Sequence, residues 1–308
     1  MEANDFQFKC SELSTKVGEP MLGTASRCNL FFLLEYNDKW QPQAVEKSNL
    51  PEEVKAYLKR WENTFPYSKT LLIRRQRRDR EKTRQFFIAD ANDQDPALFE
   101  YSLETYEELL NVDIGSVLDK KSSASANKST KPIFLVCTHG TRDQCCAIYG
   151  APVFQQAILS APKRVWQSSH VGGHRFAANL LCLPHGVLYG RLTMQKTALI
   201  IEKYMSGDMD LEHLRGRSCY SPVAQAAESF IRQNMHFYGI NDLHYVGENQ
   251  SASDLWEVKF IQPKKAVKYD VRVEVGKLDQ VIYESCGSPK TAQPATFRLI
   301  DFKAQAIQ

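Results

Sequence analysis

The sequence predicts an α/β fold, and three observations carry that prediction. Short apolar runs at 30–34, 71–73, 86–88 and 133–136 have the length and composition of buried strands. Between them lie segments whose apolar residues recur at helical spacing. From about residue 256 onward the pattern alternates with period two, at Trp256, Val258 and Phe260, at Tyr269, Val271, Val273 and Val275, then at Val281 and Tyr283. Such alternation marks antiparallel strands with one buried face. With 308 residues the chain is long enough for two modest domains, each with a core.

Taken in order, Leu30 to Leu34 form the first strand, and Pro51 opens a helix in which Val54, Leu58 and Trp61 share a face. Strands at 71–73 and 86–88 follow, and the capping box Thr105-x-x-Glu108 announces a further helix. These elements make up a first α/β domain, residues 1–118. Residues 119–131 are small and polar, cannot bury enough surface to order themselves, and read as a linker. A second domain, 132–220, opens with the strand 133–136; Asp143 then caps a helix that carries Ile148, Phe154 and Ile158 inward. It continues with a strand at 188–192 and a helix whose Ala198, Ile201 and Met205 share a face, ending near Gly207. The remainder, 221–308, supplies a helix bearing Ala224, Ala227, Phe230 and Ile231, then antiparallel strands with a turn at Gly276, packing on the core.

The formal charge of +3 is close to balance and gives no strong pull toward nucleic acid or membrane. The sharpest charge feature, the basic run 74–84, lacks interleaved aromatics and is broken by Asp79 and Glu81. It reads as a solvated hairpin first, and as a dock for an acidic redox partner second. Eight cysteines are scattered without the dense spacing of a disulfide scaffold. The acidic start is no signal peptide, and no apolar run approaches the ~20 residues that span a bilayer. A cytoplasmic protein with reduced thiols is expected.

The chemistry concentrates between Cys137 and Arg191. Cys-Thr-His-Gly-Thr-Arg-Asp-Gln-Cys-Cys spans 137–146, Ser-Ser-His-Val-Gly-Gly-His-Arg-Phe spans 168–176, and Pro-His-Gly-Val-Leu-Tyr-Gly-Arg spans 184–191. Thiols and imidazoles are the ligands of transition metals, and here they form two close pairs: Cys137 with Cys145 or Cys146, and His170 with His174. Cys137 closes a strand and Asp143 opens a helix, so the first pair spans a strand-to-helix loop. Gly172 and Gly173 each cost a helix interior ~1 kcal/mol, so the second pair lies on a loop that lets backbone approach a bulky cofactor. Val171 stands where a zinc protease needs its glutamate, which rules out that enzyme. The wide first gap suits a [2Fe–2S] cluster better than a zinc finger, although two Cys and two His are also a zinc set. No Cys-x-x-Cys for thiol–disulfide catalysis occurs, and no marked carboxylate pair for glycoside cleavage stands out.

These motifs resemble the thioredoxin-like [2Fe–2S] ferredoxins and, more closely, the sucrase/ferredoxin-like family, in which histidines replace the second cysteine pair. The motif likeness covers 131 to about 220, with a weaker likeness over nearly the whole chain. The resemblance implies Cys137, Cys146, His170 and His174 as cluster ligands, with Cys146 chosen over Cys145 by the family's spacing. It implies a thioredoxin-like ferredoxin domain at 132–220; residues 1–118 show the same predicted order of strand, helix, strands and helix, and so read as a candidate relative that has lost its ligands. The expected function is electron transfer at a raised, pH-dependent potential, with a redox protein or reductase as partner. A structural or sensing zinc site is the alternative, and the family name adds a sucrose-cleaving hydrolase. Cys145 is then a bystander, His139 and His185 are loop hydrogen-bonders, Arg142 pairs with Asp143, and Arg175 faces the cluster. Cys10, Cys28, Cys182, Cys219 and Cys286 are expected to be structural.

Overall fold

A computed structural model describes residues 8–76, 82–119 and 126–307. The chain enters through a short helix, α1 (Cys10–Lys16), and then β1 (Leu30–Glu35), every residue of which is buried. Helix α2 (Glu52–Thr64) starts after Pro51 and turns Val54 and Leu58 inward, as their spacing requires. Strands β2 (Ser68–Arg74), β3 (Arg84–Asp90) and β4 (Ala97–Leu103) follow, then a short helix α3 (Ile114–Leu118). The next unit runs β5 (Ile133–Cys137), α4 (Gln144–Ser160), β6 (Val165–Ser168), β7 (Leu180–Leu183), β8 (Val187–Tyr189), α5 (Met194–Met205) and β9 (Leu214–Arg217). Helix α6 (Pro222–Met235) precedes β10 (His244–Gln250), β11 (Leu255–Gln262), β12 (Val267–Lys277), the two-residue strands β13 (Ile282–Tyr283) and β14 (Thr291–Ala292), and β15 (Ala295–Ala306).

Nine strands form one curled sheet in the order β4-β3-β1-β2-β6-β5-β7-β8-β9. Strands β1 and β2 are parallel, as are β5 and β6; every other neighbour is antiparallel. The order β4-β3-β1-β2 is thus repeated, mirrored, as β6-β5-β7-β8. The seam between the repeats is short, pairing Ile73 with Ser168 and Arg74 with Gln167. On one face a single core crosses that seam, joining Phe31, Leu33, Leu71 and Ile73 to Ile133, Leu135 and Trp166. On the other face each repeat has its own cover: α2 packs on Leu30, Phe32 and Leu34, while α4 and α5 pack on Phe134 and Val136. A second sheet, β10-β11-β12-β15, is antiparallel as the period-two pattern predicts. Helix α6 lays Ala224, Ala227 and Ile231 on its Val258, Phe260, Val271 and Val273.

Several elements differ from the sequence reading. Glu108 does not close a capping box with Thr105; its carboxylate accepts the Glu104 N–H, a single 3₁₀ turn follows, and Asp113 caps the helix that forms later. In α4 the buried stripe is Cys146, Gly150, Val153, Phe154 and Ala157, which leaves Ile148 on the outer side and 44% exposed. In α5 the inward face is Thr197, Ile200, Ile201 and Tyr204. Tyr204 wins that position because its ring packs edge-on against Phe134 at 5.6 Å, and Met205 is turned out. Gly276 lies within β12, opposite Thr296, and makes no turn. Residues 120–125 of the predicted linker and 77–81 of the basic hairpin lie outside the described residues. The flanks of both are tied down. Lys128 bridges to Phe99, Arg74 stacks over Trp40 at 4.3 Å, and Arg75 stacks over Trp166 at 4.5 Å.

Two buried contacts fix how the layers sit. A Cβ built on Gly150 would lie 2.2 Å from the Cys137 carbonyl oxygen, so α4 rests on the end of β5 at a distance only glycine permits. Near α6, Arg232 donates to Glu228 at 2.9 and 3.1 Å and to the carbonyls of Gly239 and Ile240, while Arg217, 4.0 Å from Glu228, donates to Asp93 at 2.7 Å. All three side chains of the Arg217–Glu228–Arg232 group are fully buried. Glu228→Ala leaves the buried Arg232 guanidinium without its carboxylate partner and Arg217 with Asp93 alone, so denaturant unfolding is expected to show a loss of about 3–5 kcal/mol. Gly150→Ala is expected to lower stability by about 1–3 kcal/mol, read as a lower unfolding midpoint, because the backbone oxygen it meets cannot yield as a side chain can.

Candidate metal centre

The site gathers at the carboxyl end of β5. Cys137 is its last residue, Cys145 and Cys146 stand in the first turn of α4, and His170 and His174 lie in the loop after β6. Asp143 caps α4 by accepting the Cys145 N–H at 2.9 Å. Successive helical residues point about 100° apart, so the two adjacent thiols face different neighbours. Cys146 turns to His170, its Sγ 3.7 Å from Nδ1, and Cys137 Sγ lies 3.9 Å from the same nitrogen. The donor atoms of Cys137, Cys146 and His170 all fall within 4.8 Å of one another. Cys145 instead turns to Cys10 and Cys286, at 3.7 and 3.3 Å.

The histidine loop is held as a loop. Gly172 and Gly173 adopt φ of 101° and 71°, left-handed values that favour glycine, and a Cβ on Gly173 would strike the Arg215 guanidinium. Buried Arg215 donates to the Gly172 carbonyl at 3.0 Å and to Asn179 Oδ1 at 2.8 Å, and Asn179 in turn donates to the Gly173 carbonyl. His170 is placed by its backbone: its N–H donates to His139 Nδ1 at 3.1 Å, and Lys69 Nζ donates to its carbonyl at 2.8 Å. His139 Nε2–H donates to the Gln41 carbonyl, which fixes that ring's tautomer.

His174 stands beside His170, ring centroids 5.2 Å apart, but outside the 4.8 Å set. Its Nε2–H donates to the Glu284 carbonyl at 2.5 Å. The proton is therefore on Nε2, and Nδ1 keeps its lone pair; Nδ1 is buried and has no hydrogen-bond partner among the described residues. A buried acceptor left unmatched costs about 1–3 kcal/mol, unless something not made of protein meets it.

The charges suit a cation. Cys146 and Cys137 share a proton: the hydrogen bond from Cys146 holds the Cys137 thiol well below its usual pKa, against burial and with help from His170, while the same bond pushes Cys146 up. Burial pushes His174 and His139 down, so both rings are neutral, the form in which imidazole binds metals. Arg215 is lowered to about 9, chiefly by burial and then by Arg175, while Glu19 and then the charge of the Cys137–Cys146 pair pull it back up. Arg215, missed in the sequence because it sits in a strand reading Leu-Arg-Gly-Arg, is the buried cation near the thiols. Arg175, expected in that role, is held in a two-pronged pair with Glu19 at 2.8–3.1 Å. Asp143, expected to pair with Arg142, spends its oxygens on the N–H groups of Cys145 and Cys286. His185 hydrogen-bonds Tyr204 at 2.6 Å.

Two of the groupings that could hold a metal ion therefore meet at α4: Cys137, Cys146 and His170, and Cys10, Cys145, Cys286 and Asp143. A third, Asp210, Glu212 and His213, is accounted for by ion pairs to Lys203 and Lys196. Among the described residues no helix is long and apolar enough to cross a membrane.

A curated relative, altered inheritance of mitochondria protein 32 of Meyerozyma guilliermondii, is 31% identical over 83 residues, which is 24% of this chain and 29% of that protein. The match thus spans less than a third of the relative. No solved structure matches the chain. The model of the family described as sucrase/ferredoxin-like matches residues 21–216, a span that takes in both strand repeats and every cysteine and histidine of the Cys137 centre. Since that is the greater part of the chain, the protein belongs to the sucrase/ferredoxin-like family.

Proposed function

We propose that Cys137, Cys146, His170 and His174 hold a [2Fe–2S] cluster and that the protein carries electrons. The observation that supports this most is His174 Nδ1, a neutral, buried, unpartnered nitrogen turned away from Glu284. It brings the donors to four, in two pairs: thiols from the β5–α4 corner and imidazoles from the glycine loop. A single ion would draw all four donors to tetrahedral separations, yet His174 stands outside the compact set, which supports a centre larger than one ion. The 3.7–3.9 Å separations among the other three favour a second reading, one zinc ion with an outlying fourth ligand. The hydrolase reading has less support, because the carboxylate nearest the centre, Asp143, is committed to two backbone N–H groups.

A bound cluster would supply one-electron storage, and bis-histidine ligation of one iron sets potentials at roughly −150 to +300 mV, against about −400 mV for all-cysteine clusters. The chain's own groups tune that centre. Arg215 offsets thiolate charge from within the core, and the Glu284 carbonyl holds the His174 tautomer. His170 also lines a cleft of about 720 Å³ with Lys69, His139 and Arg142, so a proton leaving its second nitrogen has a path to water. The repeated strand order supports reading 132–220 as a thioredoxin-like ferredoxin domain and 1–118 as its ligand-free relative, with Glu35 ending β1 where Cys137 ends β5. The partner is then a redox protein or reductase.

Anaerobically purified protein is expected to be reddish brown, with a paramagnetic resonance signal on one-electron reduction. Cys137→Ala, Cys146→Ala and His170→Ala should abolish the visible absorption and Cys145→Ala should keep it; a colourless wild type carrying stoichiometric zinc would establish the second reading instead. The midpoint potential should also depend on pH. A ligand imidazole loses its outer proton more readily in the oxidised state, so rising pH stabilises that state and lowers the potential by about 59 mV per unit above its pKa. A flat potential from mildly acid to strongly alkaline pH would show that neither imidazole ligates.

A further inference from the structure

Three cysteines far apart in sequence meet behind the first centre. Cys10 comes from α1, Cys145 from α4, and Cys286 from the segment between β13 and β14. Their sulfurs are 3.7 Å (Cys10–Cys145), 3.3 Å (Cys145–Cys286) and 3.5 Å (Cys10–Cys286) apart. Both oxygens of Asp143, a fully buried carboxylate, lie 3.7 Å from Cys10 Sγ. We propose that Cys10, Cys145, Cys286 and Asp143 form a second metal site, a tetrahedral three-thiolate, one-carboxylate site for Zn²⁺.

The Cys10–Cys145 and Cys10–Asp143 distances match that geometry, and the other two sulfur pairs, at 3.3 and 3.5 Å, lie slightly inside it. Metal–sulfur bonds of about 2.3 Å and metal–oxygen bonds of about 2.0–2.2 Å give tetrahedral edges of about 3.8 Å between sulfurs and about 3.5–3.7 Å from sulfur to oxygen. A disulfide would use two of the three sulfurs and leave the third beside the Asp143 carboxylate.

Two of the three sulfurs also accept hydrogen bonds. The Cys10 N–H donates to Cys286 Sγ at 3.3 Å, and the Ser11 hydroxyl donates to Cys145 Sγ at 3.3 Å. Such donors stabilise thiolates and do nothing comparable for thiols. Asp143 is oriented by the N–H groups of Cys145 and Cys286, each at 2.9 Å, so the proposed ligands brace one another.

The parts joined here are short, and their other ties are a few side-chain contacts, among them Arg191 to Ser14, Tyr149 to Glu12 and the Phe8–Tyr283 ring stack. Helix α1 has seven residues, below the length at which a helix sustains itself, and β13 and β14 pair over two residues each. Among the described residues the apolar cluster around the thiols is made of Cys10, Cys145 and Ala177, with Tyr149 and Cys286 at its edge. A bound ion would staple both segments to the start of α4, and loading it would release the thiol protons to solvent. The staple would bear on the neighbouring centre, because Glu284, whose carbonyl fixes His174, lies two residues before Cys286.

The test keeps the two centres apart. The full-length Cys137→Ser/Cys146→Ser chain, stripped of metal under reducing anaerobic conditions, is titrated with Co²⁺. The expected result is thiolate-to-cobalt charge transfer and intense tetrahedral visible bands that saturate at one equivalent and are bleached by Zn²⁺. Adding Cys10→Ser/Cys286→Ser to that chain should abolish the bands. Absence of bands before the second pair is removed, or their survival afterwards, overturns the proposal. On the otherwise unmutated chain, elemental analysis after growth in zinc should find one zinc that Cys10→Ser/Cys286→Ser removes while iron stays. An unchanged zinc content, or a Cys145–Cys286 disulfide trapped by alkylation at lysis, overturns it as well.

Discussion

The seating of α4 on the end of β5, through the Gly150 backbone against the Cys137 carbonyl, is the constraint on which both cysteine clusters depend. Once that contact is made, the first turn of the helix has one position. Cys146 is then on the sheet side, facing Cys137 and the histidine loop, and Cys145 is on the side that meets α1 and the C-terminal segment. Neither thiol is aimed by its own interactions. Both are aimed by a glycine four or five positions away.

The histidine loop obeys a similar logic from the opposite side. Its two glycines take backbone shapes that leave no room for side chains, and the space is filled by Ser26 at Gly172 and by the Arg215 guanidinium from β9 at Gly173. One buried cation thus shapes the loop and sits near the sulfurs whose charge it offsets. Replacing it with an apolar residue would lose both effects at once, so the two roles cannot be tuned apart.

Much of this was legible in the residues themselves. The strands at 30–34, 71–73, 86–88 and 133–136 declared themselves because wholly apolar runs of that length fit few other places, and the cap at Asp143 because Asp suits that position. The Gly-Gly pair correctly spoke against a helix between the histidines. What could not be read was anything that depends on distant segments meeting. The cluster of Cys10, Cys145 and Cys286 joins positions 135 or more apart, and Arg215 reaches back to Gly172 across strands whose pairing no local pattern encodes. The helix faces erred at Ile148 and Met205, where apolar residues were assumed to point inward; tight packing at Gly150 and the bulk of Tyr204 decided otherwise.

The adjacency of Cys145 and Cys146 has an implication for how this segment can change over time. Between residue 137 and residue 150 the spacing is set at one end by a strand terminus and at the other by a backbone contact. A single residue gained or lost in that interval would rotate the helix start by about 100° and exchange the surroundings of the two thiols. Loops elsewhere on this sheet can lengthen at small entropic cost. This stretch has no such freedom, and its length should be as fixed as the identity of its cysteines.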